Sequence, residues 1–353
     1  MNRRPTLSDV ASRAGVSPKT ASRAINGERH VSAATAARVL AAAEELEFLP
    51  NRLAQGLRGG SALASVGLVI GDMGNPFWSS IARGVERELA GADLLLITAS
   101  HEEDPALQHR LLRALVERRV DGLLLVPAPG DADLSSILRD VPVVVLDRPL
   151  SRPALDAVLF DDRGGAATGV AALIAQGHRR IAYIGAEAPL WTVQERLTGY
   201  RQALAAAGIE EDPRLVRLDC QNPAAAASAT RDLLRLEDPP TAVLAMNNLI
   251  GRGLRRAVHE AVAQLDIMAF DPDPDAELYT PSPSTVVIDP EAAGRTAAGL
   301  LLDRLGGDRR PPRRVVLPAA LIMRTPPRRE RPAGTTPPAS AARAVAVPAG
   351  GAS

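Results

Sequence analysis

Apolar residues follow two rhythms along the chain. From about 6 to 47 they recur at three- and four-residue spacing, the mark of short amphipathic helices. Further on, continuous apolar runs stand at 66–70, 94–97, 122–126, 143–146, 181–184, 242–246 and 266–270. Runs this short, with no polar alternation, read as strands buried on both faces, hence a parallel sheet under helices. Helical periodicity fills 77–90, 105–119, 164–176, 194–207, 224–236 and 250–262. Strand and helix in alternation predict a doubly wound α/β fold. A single sheet would need up to about ten strands, so two halves of five or six fit better. Ligands of such sheets bind beyond the carboxyl ends of the strands, and in two halves those ends can face each other across a cleft. No short repeat is visible. Residues 325–353 are Pro, Ala, Arg and Gly with almost no large apolar side chain, which predicts a disordered tail.

Charge sharpens this division. The 353-residue chain has zero formal net charge. Residues 1–60 nevertheless carry nine basic and five acidic side chains, 61–324 carry 28 and 35, and 325–353 carry four and one. A basic head on an acidic body suggests that the head meets an anion. The arginine count alone is no sign of function, because Lys19 is the single lysine among 41 basic residues. One cysteine, Cys220, excludes a disulfide framework and any multi-cysteine metal site. No stretch approaches the roughly 20 apolar residues of a membrane span, and no secretory signal is expected, so the chain reads as cytoplasmic with no membrane partner.

The head has defined punctuation. Thr6-Leu7-Ser8-Asp9 is a capping-box-like start, and Gly15 ends the first helix. Ser17-Pro18 opens a second helix over 19–26, with Gly27 as its stop. A third, capped at Ser32, spans about 33–47. Val10, Ala11, Ala14, Val16, Ala21 and Ile25 fall inward, leaving Lys19, Thr20, Ser22, Arg23 and Asn26 outward. Two helices around a tight turn, braced by a third, make helix-turn-helix geometry, although a small bundle with a solvated polar face has the same spacing. In the first reading the second helix enters the major groove. Arg23 pairs bidentately with guanine and Lys19 reaches guanine acceptors. Thr6, Ser17, Thr20 and Ser22 suit phosphate oxygens.

The run Leu7-x2-Val10-Ala11-x2-Ala14-Gly15-Val16-Ser17-x2-Thr20-x-Ser22-Arg23-x2-Asn26 resembles the LacI family of bacterial transcription regulators. So do Pro50-Asn51-Arg52-Leu53-Ala54-Gln55-Gly56-Leu57 and, in the body, Asn75-Pro76-Phe77-Trp78, Arg119-Val120-Asp121-Gly122, Gly177-His178-Arg179-Arg180-Ile181 and Glu195-Arg196-Leu197-x-Gly199-Tyr200. The resemblance covers 5–325. It implies a DNA-binding head of 1–49, a hinge of 50–60 and an effector-binding and dimerisation body of 61–324, folded like a periplasmic sugar-binding protein. The body would divide into 61–161 plus 290–324, and 162–289. His30 also matches a family position.

A hinge helix over 51–58 is two turns long, which is marginal in water, and Gly56 weakens it by about 1 kcal/mol more. The resemblance implies that it folds when two subunits dock on DNA, with Asn51 and Ala54 matching the pattern. Leu57 then stands at the wedge position in the minor groove, at a central CpG step. The alternative is an ordinary linker leucine.

Effector candidates lie at strand ends. Asn75, Phe77 and Trp78 follow the first body strand; the aromatics could stack on a sugar or base, or simply staple the next helix. Trp191 is a third aromatic, with Thr192 in the loop before Arg196. Arg196 and Asp271 match the family's effector-anchoring arginine and cleft aspartate, while Arg196 could otherwise pair with Glu195 at the surface. Arg148 and Asn247 follow from strand-end position. The chain departs from the pattern at Asn248, where an acid is usual, at Pro272 after Asp271, and in a short segment before strand 266–270.

No G-x-G-x-x-G, Walker loop, G-x-S-x-G or H-E-x-x-H is present. Asp271, Asp273 and Asp275 are spaced like a calcium loop, but the sixth-position glycine is missing and Ser282 stands at the twelfth position. No enzyme activity, metal or cofactor is expected. The expected function is a homodimeric repressor that binds a pseudo-palindromic operator DNA and responds to a small effector, a sugar or related metabolite. The tail lacks leucine heptads, so a dimer rather than a tetramer is expected. A solute-binding transport protein and a metabolic enzyme are the rival readings.

Overall fold

The structure is a computed structural model and describes residues 5–25, 31–46, 64–130, 133–150, 154–186, 190–271, 273, 275, 278 and 282–324. Asn26, His30, the hinge with Asn51, Ala54 and Leu57, and the tail from 325 lie outside the described residues.

The head is three helices, α1 Leu7–Ala14, α2 Pro18–Ile25 and α3 Ala33–Glu45. Val10, Ala11, Ala21, Ala24, Val39 and Ala42 form its buried centre. The body follows with β1 Ser65–Ile70, α4 Pro76–Ala90, β2 Leu95–Ser100, α5 Pro105–Glu117, β3 Gly122–Leu125, α6 Ser135–Leu138, β4 Val143–Leu146 and β5 Asp156–Phe160. Next come α7 Asp162–Ala175, β6 Ile181–Ile184, α8 Trp191–Ala206, β7 Val216–Arg217, α9 Pro223–Leu234, β8 Ala242–Ala245, α10 Asn248–Glu260, β9 Asp266–Phe270 and β10 Ser284–Val287. α11 Pro290–Leu305, β11 Arg314–Leu317 and β12 Ala320–Ile322 close the described chain.

The described residues fall into two units, with boundaries at Leu159/Phe160, Ile288/Asp289 and Val316/Leu317. One contains the six-stranded sheet β11-β5-β4-β3-β1-β2, the other β12-β10-β9-β8-β6-β7. The first five strands of each half thus take the order 2-1-3-4-5, a doubly wound arrangement. β1, β3 and β4 are buried throughout or nearly so, as their continuous apolar runs predict. The expected boundary differs at the C-terminal end. Segment 290–324 was expected whole in the first half, yet β12 pairs antiparallel with β10 in the second sheet, Val286 opposite Leu321.

Four body helices start with an Asx-Pro pair directly beyond a strand or loop: Asn75-Pro76, Asp104-Pro105, Asn222-Pro223 and Asp289-Pro290. The Asx side chain accepts an otherwise unpaired N–H of the first turn, and proline fits the first position because its missing N–H costs nothing there. Among the described residues no helix is long and apolar enough to cross a membrane.

Candidate functional site

The head realises its sequence punctuation. Thr6 caps α1, with its hydroxyl oxygen accepting from Asp9 N–H at 3.4 Å and its own N–H donating to the Asp9 carboxylate at 2.7 Å. Gly15 takes φ 66°, where a side chain would strain the turn. Ser17 Oγ then accepts from Thr20 N–H at 3.1 Å and bonds the Thr20 hydroxyl at 2.8 Å. Arg13 reaches Glu45 at 2.6 Å, tying α1 to α3 at the surface. Ser17, Pro18 and Lys19 are exposed on the α2 start, and Thr20, Ser22 and Arg23 are half-buried beside them. Leu7, which the family resemblance places among the DNA contacts, is half-buried and packs against the head core. The Thr6 and Ser17 hydroxyls both take part in capping.

In the first unit a buried charged cluster centred on Arg148 lies beyond the carboxyl ends of β1, β2, β3 and β4. Arg148 is 6% exposed. Its Nε donates to Asp147 at 3.1 Å, and its terminal nitrogens hold Glu103 bidentately at 2.6 and 2.7 Å. A fourth bond goes to the Pro127 carbonyl at 2.9 Å. Burial opposes the charge, but the Glu103 hydrogen bonds and the Glu103 and Asp147 charges outweigh it and raise the guanidinium's pKa. The guanidinium lies 6.0 Å from the centre of the Trp78 ring. Trp78 meets Phe77 edge-to-face at 4.9 Å, and both rings are buried at the start of α4. Asn75 caps that helix, its Oδ1 accepting from Phe77 N–H at 3.0 Å. His101, fully buried, receives the Glu103 N–H at Nδ1 over 3.1 Å and faces the Val126 carbonyl with Nε2 at 2.9 Å. Those partners assign the proton to Nε2. Desolvation lowers its pKa against the pull of the Val126 carbonyl, so the ring is neutral at pH 7.

The second unit carries a similar device. Arg196, 5% exposed, is the sixth residue of α8. Its Nε donates to Asp162 at 2.6 Å, one terminal nitrogen to the Met246 carbonyl, and the other to Asp271 at 3.4 Å. The guanidinium stacks on Phe270, 4.1 Å from the ring centre. The surface pairing with Glu195 does not occur; Glu195 holds Arg163 bidentately at 2.7 and 3.0 Å. Asn247 caps α10, accepting from Ile250 N–H at 2.9 Å. Thr192 is buried and Trp191 half-buried in the first turn of α8, which begins three residues before the expected 194, so Thr192 is helical rather than in a loop.

Asp147 and Asp271 occupy equivalent places, each the first residue beyond the fourth strand of its half. Both adopt positive φ, 66° and 68°. Non-glycine residues there are uncommon and gather at ligand-handling sites. Asp147, Glu103 and Asp162 were missed by sequence reasoning. An apolar run followed at once by Asp marks both Val143–Asp147 and Ile267–Asp271, and that repeat could have exposed Asp147. Asp162 follows β5, a strand whose run begins with the buried Asp156 and was not recognised. Asp273 pairs with Arg252 at 3.1 Å and with Arg255. Among the described residues no three His, Cys, Asp or Glu side chains gather as a metal site.

Residues 6–51 match the family described as bacterial regulatory proteins, lacI family, and residues 170–325 match the periplasmic binding protein-like domain. The transcriptional regulator CelR of Thermobifida fusca is 35% identical over 320 residues, covering 87% of this chain and 93% of that protein. The repressor PurR of Photobacterium profundum is 29% identical over 310 residues, covering 85% and 92%. Among solved structures, a CelR–cellobiose complex is similar with TM-score 0.68 at 34% identity, over 91% of this chain and 99% of that one. The lac repressor dimer bound to operator and the anti-inducer ONPF gives 0.78 at 27% identity, over 91% and 98%.

Proposed function

The chain belongs to the lacI family of bacterial regulatory proteins, DNA-binding transcription regulators rather than enzymes, and from that premise we propose a cytoplasmic homodimeric repressor switched by a small effector. Two heads bind a pseudo-palindromic operator, with half-sites about one helical turn apart. Lys19 and Arg23 read base edges, and Thr20, Ser22 and the helix starts capped by Thr6 and Ser17 hold phosphates. The observation that carries this reading is the polar α2 face, set on a head whose three helices share one buried centre. The Leu57 wedge rests on the family resemblance alone. A transport role for the body is disfavoured by the complete head.

The effector finds candidate contacts at the carboxyl ends of each unit taken by itself: Arg148 and Trp78 in the first, and Trp191, Arg196 and Asp271 in the second. It acts through different affinity for the two states of the repressor, so operator and effector weaken or strengthen each other by the same factor. Fluorescence anisotropy on palindromic DNA tests the proposal. Each phosphate contact contributes about −0.9 to the slope of log K against log salt. Binding that ignores salt would refute the phosphate contacts of the head, and equal losses by Arg23→Ala on cognate and random DNA would refute its base reading.

A further inference from the structure

We propose that Glu103 sets the charge class of the effector: by occupying the Arg148 guanidinium, it denies the site to phosphorylated ligands and fits it to uncharged, hydroxyl-rich ones. This inference rests on the effector reading of the Arg148 cluster. A buried arginine with both terminal nitrogens presented is the natural receptor for a phosphate or carboxylate, because its planar fork matches two oxygens at once. Here that fork is already filled from within the chain. Glu103 takes both terminal nitrogens at 2.6 and 2.7 Å, Asp147 takes Nε, and Pro127 takes a fourth N–H. One cation faces two carboxylates, so the cluster repels an incoming anion while carboxylate oxygens remain good acceptors for hydroxyl groups.

The backbone is bent to deliver this carboxylate. Glu102 and Glu103 stand at φ 50° and 59°, two consecutive side-chain-bearing residues in the left-handed region. Glycine would adopt that turn without penalty, so local geometry does not explain a glutamate at 103. Core packing does not explain it either, since the Glu103 side chain is 33% exposed. The surroundings instead hold it on Arg148. His101 Nδ1 accepts the Glu103 N–H at 3.1 Å. At Gly71, beyond β1, a Cβ would come within 2.6 Å of Glu103 Oε1, so a larger residue would push the carboxylate away. In the second unit Arg196 is likewise enclosed, by Asp162, Asp271 and a carbonyl. Neither buried arginine presents an unfilled fork to an anion.

Inorganic phosphate is the probe, titrated into the full-length protein at constant ionic strength and followed by calorimetry and thermal shift. The unaltered protein is expected to show no saturable phosphate binding. Glu103→Gln, and equally Glu103→Ala, opens the fork and is expected to bind phosphate at least about tenfold more tightly, about 1.4 kcal/mol. Adding Arg148→Gln to either variant is expected to abolish the gain. Saturable binding by the unaltered protein overturns the inference, as does the absence of any gain in a Glu103 variant that keeps its operator affinity. Operator release by a panel of neutral sugars and their phosphate esters, read with Asp147→Asn in the same cluster, separates the two levels. A sugar response lost in Asp147→Asn, with no phosphate gain at Glu103, overturns only the charge-selection role. A response untouched by Asp147→Asn overturns the effector reading of the Arg148 cluster, and with it the role of Glu103. Release of the unaltered protein by phosphate esters but not by neutral sugars also overturns the inference.

Discussion

Replacing Gly294 with alanine adds one methyl group at the closest approach of two helices. A Cβ at 294 on α11 would lie 2.1 Å from the Ile81 carbonyl oxygen and 2.9 Å from Val85 N, both backbone atoms of α4. The reciprocal position, Gly84 on α4, would place a Cβ 2.1 Å from the Glu291 carbonyl oxygen. Ordinary contact starts near 3.4 Å, so the helices must separate by more than an ångström or bend. Overpacking of this kind costs about 1–3 kcal/mol, and an obstacle made of backbone places it at the upper end. Alanine regains about 1 kcal/mol of helix propensity. The net expectation is about 2 kcal/mol of destabilisation, a fall of roughly 4–8 °C in Tm for a body of this size. Gly299, on the same helix, supplies the control. A Cβ there meets only Glu88 Oε1 at 4.0 Å, the end of a flexible side chain. Gly299→Ala should therefore stabilise by about 1 kcal/mol. The double variant Gly84→Ala/Gly294→Ala should lose less than the sum of its parts, because one separation relieves both clashes. Thermal and urea melts followed by circular dichroism read all four. Equal shifts at 294 and 299, or a Gly294→Ala protein as stable as the parent, would show that these helices do not touch as described.

Arg196→Ala leaves the buried Asp162 and Asp271 carboxylates without their shared cation, and breaking such a pair costs about 3–5 kcal/mol. A urea midpoint equal to the parent's would refute the pairing, and an intact ligand response would remove Arg196 from the effector site. Val262 ends α10 at φ 50° and is 90% exposed, a β-branched residue in a strained conformation with no packing in return. Val262→Gly should raise stability by about 0.5–1 kcal/mol, the left-handed penalty less the added freedom of the unfolded chain, and a lower midpoint would contradict it. Asp156 is buried, which alone would raise its pKa. The Arg304 hydrogen bonds at 2.7 and 2.9 Å, the Arg313 N–H and the Arg304 charge outweigh burial and hold it below the usual carboxylate range. Its contribution is therefore complete above about pH 4 and is lost as pH falls through the lowered value. Asp156→Asn should flatten the acid limb of a stability–pH curve, and an unchanged limb would remove Asp156 from it.

Local pattern located the head helices, seven of the twelve strands among the described residues and six body helices, because each of those elements carries its own signal: an N-cap, an Asx-Pro start, or a run of branched apolar residues. α11 has the Asx-Pro start Asp289-Pro290 but no stripe of large apolar residues behind it. Its buried face is Ala293, Gly294, Ala297, Ala298, Leu300 and Leu301, and small residues become a packing surface only when α4 comes close enough to use them. β7 and β12 are only two and three residues long, β11 alternates between exposed and half-buried, and β5 and β10 break their apolar runs with Asp156 or with Ser284 and Thr285. Position beyond a strand singled out Arg148, and the family pattern singled out Arg196 and Asp271. What those charges do was decided by the fold. Glu103 lies 45 residues from Arg148, and Asp162 lies 34 from Arg196. No spacing rule connects such pairs, because parallel strands bring their carboxyl ends together only after long crossovers. The chain's local chemistry fixed which elements form and where cations stand; three-dimensional packing chose the carboxylates that enclose them.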